Sequence, residues 1–313
     1  MLKTRYVIFA VGILAAVIFL EGSVRVASPF FGPPLSAWNT MEDAKRLKFG
    51  EFKEKYPKPE YVFMGNSTTL IGVSPSVFTG KAGLATGASF NAAMNGSDIK
   101  TMRDFALSYI IDEIKPKNLV LLFSNTNMIQ IGNFESFAGK RTTILDSFYL
   151  YRYRDTFRDP MTINTIVRFL KYRDSRQGIV YRWADNLDDF GYSKYETSDA
   201  TVPEIGWIPL VKPKSDFKEY DVDISKLQYL LEIRDATRKA GVNLIISTVP
   251  LLVKDDLYRG LTRSIANELS IGFIQGNDAL GQGKYFQDGV HLNIEGAKIF
   301  SKFLARELPK LAK

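Results

Sequence analysis

Tyr61-Val62-Phe63-Met64-Gly65-Asn66-Ser67-Thr68 is the stretch on which the fold turns. Four apolar residues make a short strand, and a glycine, an amide and two hydroxyls follow without a spacer. If this is the first strand of a parallel sheet, Ser67 stands at the carboxyl edge beside a helix N-terminus, a position that suits a nucleophile. Taken alone, Ser67 suits a helix cap equally well.

Three further apolar runs share this pattern. Ala88 to Met94 ends in Asn95-Gly96-Ser97, where a glycine lets backbone approach a ligand, and an amphipathic helix follows with Met102, Phe105, Ala106, Tyr109, Ile110 and Ile114. Asn118 to Phe123 ends in Ser124-Asn125-Thr126-Asn127, a concentration of hydrogen-bonding groups that an ordinary turn also explains. Gly241 to Pro250 follows a helix carrying Leu227, Leu230, Leu231 and Ala236. A last short strand, Ile271 to Ile274, precedes Phe286-Gln287-Asp288-Gly289-Val290-His291-Leu292-Asn293. Strand alternating with helix at this rhythm predicts a parallel sheet covered on both faces.

His291 is the only histidine in 313 residues, so imidazole proton transfer near neutral pH depends on it. Asp288 precedes it closely enough to hold one ring nitrogen and leave the other as a general base; an exposed histidine in a turn is the plain alternative. Asn293 is placed to cap a helix on which Ile294, Ala297, Phe300, Phe303, Leu304 and Leu308 repeat at helical spacing.

Composition narrows the classes. Hydrophobic residues make up 45% of the chain, ample for a sizeable core. The absence of cysteine removes disulfides, thiolate metal sites and a cysteine nucleophile. One histidine cannot build a histidine-rich zinc site, so neither a metal nor another cofactor is expected. The formal charge of +7 favours anionic surroundings, and no nucleic-acid module is recognisable.

At the N-terminus Lys3 and Arg5 precede an uncharged apolar run from Tyr6 to Leu20, closed by Glu21 and Arg25. The run is shorter than the ~20 residues of a full span unless Gly22 to Ala27 extend it. No clean cleavage site follows, and we read residues 1–27 as a retained signal anchor with a cytoplasmic N-terminus. Residues 28–59 read as a linker with a solvated helix, and 60–313 as the folded domain. Between about 133 and 221 the strand rhythm stops and aromatic and basic residues crowd, among them Tyr151, Arg152, Tyr153, Arg154, Tyr172 and Trp183. This helical, aromatic insertion suits a cap that selects a polymer, a contact with anionic lipid, or a small subdomain with its own core.

Taken in order, these strand ends resemble the SGNH branch of the GDSL hydrolase superfamily over roughly residues 60–132 and 225–313. Gly65-Asn66-Ser67 looks like its Gly-Asp-Ser block, Gly96 like the glycine of its second block, Asn127 like the asparagine of its third, and Asp288 with His291 like its closing Asp-x-x-His. The resemblance implies a flavodoxin-like three-layer α/β sandwich with a central parallel sheet. It implies Ser67 as nucleophile, His291 as base and Asp288 as its orienting acid. The backbone N–H groups of Ser67 and Gly96 and the side-chain amide of Asn127 would form the oxyanion hole. Asn66 stands in place of the usual aspartate, Asn125 where glycine is frequent, and Met128 in place of an acid; Asn125 competes with Asn127 for the oxyanion role. Asn66-Ser67-Thr68 and Asn95-Gly96-Ser97 also match the glycosylation pattern and are read as chance matches, which suits a bacterial protein.

The function implied is a membrane-anchored serine acyl hydrolase or O-acyltransferase. Its catalytic domain would be extracytoplasmic and would act on ester-linked acyl groups, acetyl or similar, of a cell-surface polysaccharide or another small ester. The alternative is a non-catalytic SGNH-like scaffold that partners a membrane-bound O-acyltransferase.

Overall fold

The structure is a computed structural model that describes residues 11–23, 40–124, 184–193, 224–252, 256–280 and 282–311. Its contacts divide the chain into two compact units. One comprises Lys48–Gly139 with Ala184–Lys313, and the other Met1–Leu47 with Lys140–Trp183. The sheet and the candidate site lie in the first.

That unit holds five strands: β1 (Tyr61–Met64), β2 (Ser89–Asn91), β3 (Asn118–Phe123), β4 (Asn243–Thr248) and β5 (Gly272–Ile274). All pair in parallel, in the order β2-β1-β3-β4-β5. This is the flavodoxin-like strand order, in which the chain leaves β1 for one edge of the sheet and returns to build outward from its other side. The expected central parallel sheet is therefore present, and its topological switch point lies between β1 and β3.

The strands are nearly uniformly apolar because both faces are covered. On one face Tyr61, Phe63, Val120, Leu122, Ile245 and Ile274 share a core with Phe78 of α3 (Pro75–Ala82) and with Phe300 and Leu304 of α7 (Ile294–Glu307). The Phe63 and Phe78 rings meet edge-on at 5.0 Å. The alternate residues Val62, Leu119, Leu121 and Ile246 are also buried. By the two-residue period of a strand they belong to the opposite face. The other helices are α2 (Ser67–Gly72), α4 (Ile99–Phe105, continued by π-type turns through Ile114), α5 (Ile224–Ala240) and α6 (Asp256–Glu268). Helix α5 packs on α4 and on β4, whereas α7 packs on α2 and α3.

One expectation is corrected. Helix α1 (Thr40–Lys55) is expected from its charged residues to be solvated, and it is not: Met41, Ala44 and Lys45 in its first half are buried as well as residues of its second half. Phe49 and Phe52 are buried, and each meets the ring of Phe90 on β2, at 5.1 and 5.3 Å. Lys55 pairs with Asp189 at 3.2 Å on the rim. The aromatic residues of this half of the helix thus pack on the edge strand β2.

Most of the expected insertion, about 133–221, lies outside the described residues. Within its described part, 184–193, the backbone N–H of Asn91 donates to the carbonyl of Phe190 at 2.8 Å, and Leu187 bridges Ser193. This segment covers the free edge of β2. Of the expected anchor, residues 11–23 are described. They are helical, and Val11, Ile13, Leu14, Val17, Ile18, Phe19 and Leu20 are exposed. Among the described residues no helix is long and apolar enough to cross a membrane.

Candidate active site

Ser67 opens helix α2 at the carboxyl end of β1, beside the switch point of the sheet, where open α/β folds bind ligands. The cap of that helix is Asn66. Its side-chain Oδ1 accepts from the backbone N–H of Thr68 at 3.1 Å and from the Thr68 hydroxyl at 2.6 Å. Its backbone carbonyl accepts from Thr69 and Leu70. The capping role open to Ser67 in the sequence thus falls to its neighbour, and the serine hydroxyl is directed elsewhere. Gly65 is required by clearance: a Cβ there would lie 2.0 Å from the Thr69 hydroxyl and 2.9 Å from the Leu122 carbonyl.

The histidine arrives on a tight hairpin. Phe286 pairs with Leu292, both buried in the core below, and the Gln287 N–H donates to the His291 carbonyl. Asn293 ends the loop as sequence spacing predicts. Its Oδ1 accepts from Gly296 N–H at 2.9 Å to cap α7, and its amide donates to the Lys284 carbonyl at 2.8 Å. The tip between these anchors carries Asp288 and His291.

The two arms meet. His291 Nε2 lies 2.8 Å from Ser67 Oγ, and His291 Nδ1 lies 2.7 Å from Asp288 Oδ2. An ionised carboxylate only accepts, so the ring proton sits on Nδ1 and the Nε2 lone pair faces the serine hydroxyl. The other carboxylate oxygen of Asp288 accepts from the backbone N–H of Val290 and of His291, at 2.8 and 2.7 Å. Desolvation alone would raise the Asp288 pKa. The hydrogen bond from the His291 ring and the two backbone N–H bonds more than offset it, and the carboxyl is held below its usual range. The Asp288 side chain remains 51% exposed and that of His291 24%.

Gly96 lies in the turn after β2. The Met94 N–H and the Ser97 hydroxyl both donate to the Gly65 carbonyl, at 3.1 and 2.6 Å, which draws this turn against the end of β1. Gly96 has φ +66° and open space around its Cβ position, so the glycine serves backbone conformation rather than clearance. Asn127, with its competitor Asn125, lies outside the described residues. Among the described residues no three of His, Cys, Asp or Glu cluster where a metal ion could be held.

Sequence reasoning undervalued one pair. The Asn66 amide donates to the Ser124 hydroxyl at 2.9 Å, joining the end of β1 to the end of β3. A glycan on Asn66 would be carried by the same nitrogen that makes that bond. The available signal was an amide at a helix-capping position facing a polar strand end.

No family model matches the chain, and no curated protein does. Among solved structures it is similar to a GDSL-like lipase from Bacteroides thetaiotaomicron, with 13% identity, TM-score 0.42, and coverage of 86% of this chain and 98% of that one. It is also similar to a catalytic mutant of an acetylxylan esterase from Geobacillus stearothermophilus, with 12% identity, TM-score 0.39, and coverage of 78% and 91%. These likenesses are distant, and the chemistry below stands on the geometry of the site.

Proposed function

We propose that the chain is a serine acyl hydrolase or O-acyltransferase of the SGNH type. The observation that carries this reading is the continuous hydrogen-bonded line Ser67–His291–Asp288, with spacings of 2.8 and 2.7 Å. Serine, base and orienting acid each stand within hydrogen-bond reach of the next, which is the geometry nucleophilic acyl transfer needs.

In the proposed reaction Ser67 Oγ attacks the acyl carbonyl while its proton passes to His291 Nε2. The Nδ1–H stays on the ring, and Asp288 stabilises the imidazolium. Charge gathers on the former carbonyl oxygen, where the N–H groups of Ser67 and Gly96 and the Asn127 amide are assigned as donors. Ser67 N–H belongs to the first turn of a helix, which has no intrahelical partner. Each such donor lowers the barrier by about 3 kcal/mol. His291 then protonates the departing alkoxide. Water or a sugar hydroxyl, deprotonated by the same nitrogen, resolves the acyl-enzyme by hydrolysis or transfer.

We assign the acyl group as acetyl or similar and the acceptor as a cell-surface polysaccharide, with the body extracytoplasmic and held by the N-terminal apolar segment. The basic flank at Lys3 and Arg5 and the exposed apolar helix at 11–23 support the anchor. A membrane-bound O-acyltransferase would be the partner in the transfer mode.

The test is turnover of short-chain aryl acetates by the protein from residue 28 onward, beside Ser67→Ala and His291→Ala variants of verified fold. The parent should turn over, and each variant should lose at least several hundredfold. Equal inactivity of all three, together with Ser67→Ala complementing the cellular function, would hand the chain to the scaffold reading.

A further inference from the structure

We infer that Asn66 is a positioning residue: its side chain clamps the two strand ends that flank the switch point and thereby fixes the bearing of Ser67 on His291. The inference rests on the serine-hydrolase reading above and concerns how the nucleophile is held.

The geometry uses both polar ends of this side chain. Oδ1 takes both Thr68 donors, backbone at 3.1 Å and hydroxyl at 2.6 Å, and so fixes the first turn of α2, on which Ser67 rides. Nδ2 reaches across the sheet to Ser124 Oγ at 2.9 Å, 58 positions along the chain. Ser124 is buried directly after β3, at the start of the segment that carries Asn125 and Asn127. Gly65 makes the reach possible: with no Cβ, β1 ends in close contact with the Leu122 carbonyl and the Thr69 side chain. One side chain therefore orders the nucleophile's helix and ties it to the third strand end. Without the tie, Ser67 Oγ keeps its chemistry and loses its aim. A misplacement of about 1 Å costs on the order of a hundredfold in rate, and the loss falls on the chemical step rather than on substrate capture.

The experiment measures two rates on the full-length protein in detergent. One is labelling by a fluorophosphonate, in which Ser67 Oγ forms a bond to phosphorus, fluoride departs, and the serine proton passes to His291. The other is aryl acetate turnover, resolved into kcat and KM. Asn66→Ala should slow labelling and kcat about tenfold to a hundredfold, with KM within about threefold. Ser124→Ala keeps the cap on Thr68 and removes only the cross-strand tie. It should lower kcat in the same manner, and the double variant should lose less than the product of the single losses, as coupled residues do. Asn66→Asp should recover most of the rate, because a carboxylate keeps both Thr68 bonds and can accept from the Ser124 hydroxyl. Parental labelling rates in folded Asn66→Ala and Ser124→Ala would overturn this inference alone. A folded parent that takes no label would overturn the serine-hydrolase reading, and this inference with it.

Discussion

Asp288 shows how a half-exposed carboxylate is kept ionised. Three N–H donors converge on it, and its pKa is lowered although desolvation opposes them. A folded value below the unfolded one of about 3.9 means that the stabilisation is fully present above that pH and is lost as pH falls through the folded value. Asp288→Asn should therefore unfold at a lower temperature than the parent at pH 6, and the gap should close in strong acid. Solvent screening keeps the effect within about 0.2–1 kcal/mol, the range for exposed pairs. Thermal melts of both proteins between pH 2 and pH 7 check the sign; a gap that widens in acid would contradict it. At this scale the Asp288–His291 contact was legible because it is local, between residues three positions apart in one turn. The Asn66–Ser124 bond was not, since nothing in either neighbourhood tells that residues 58 apart become neighbours.

At the scale of elements, the hairpin from Phe286 to Leu292 owes its position to what lies beneath it. Both end residues are in the main core, and Leu292 lies where a Cβ added at Gly72 on α2 would meet it at 3.6 Å. Leu292→Ala should cost about 2–5 kcal/mol by lost burial and the cavity left behind. Denaturant melts would measure that cost. Turnover should fall even in protein that remains folded, because the hairpin that carries His291 loses an anchor. Gly65→Ala tests the opposite fault, overpacking. Its methyl would meet the Thr69 hydroxyl and a backbone carbonyl, and we expect a loss of about 1–3 kcal/mol. The strands themselves were legible: Tyr61–Met64 and Asn118–Phe123 match the apolar runs residue for residue, and Asn293 caps the helix that spacing placed after it. Strand β2 is shorter than its run, since Ala92 to Met94 stay buried after the ladder ends. Strand order could not be read from periodicity, which reports burial and not neighbours.

For the sheet-bearing unit as a whole, the second half of α1 belongs to the fold. Burying Phe49 and Phe52 is worth about 1.5–3 kcal/mol each. A protein begun at residue 58 should melt at a lower temperature and expose the Phe90 face to aggregation, whereas one begun at residue 40 should not; calorimetry and light scattering of the two compare them directly. Sequence reading missed this because Lys48, Glu51, Lys53, Glu54 and Lys55 flank the two phenylalanines along the chain and make the helix look solvated. The anchor assignment is checked separately, by asking whether the full chain pellets with membranes under alkaline wash and whether removal of residues 1–27 releases it.

Ser67 and His291 stand 224 positions apart along the chain and 2.8 Å apart in space. A protein made from its N-terminus emerges at about 5–20 residues per second. On that scale the serine is out of the ribosome many seconds before its base exists, and Phe300 and Leu304 must follow before the hairpin has a floor to rest on. On the serine-hydrolase reading proposed above, Ser67 therefore lacks its base throughout synthesis. On that reading the site is completed only when the closing helix docks, and catalysis would follow folding rather than precede it.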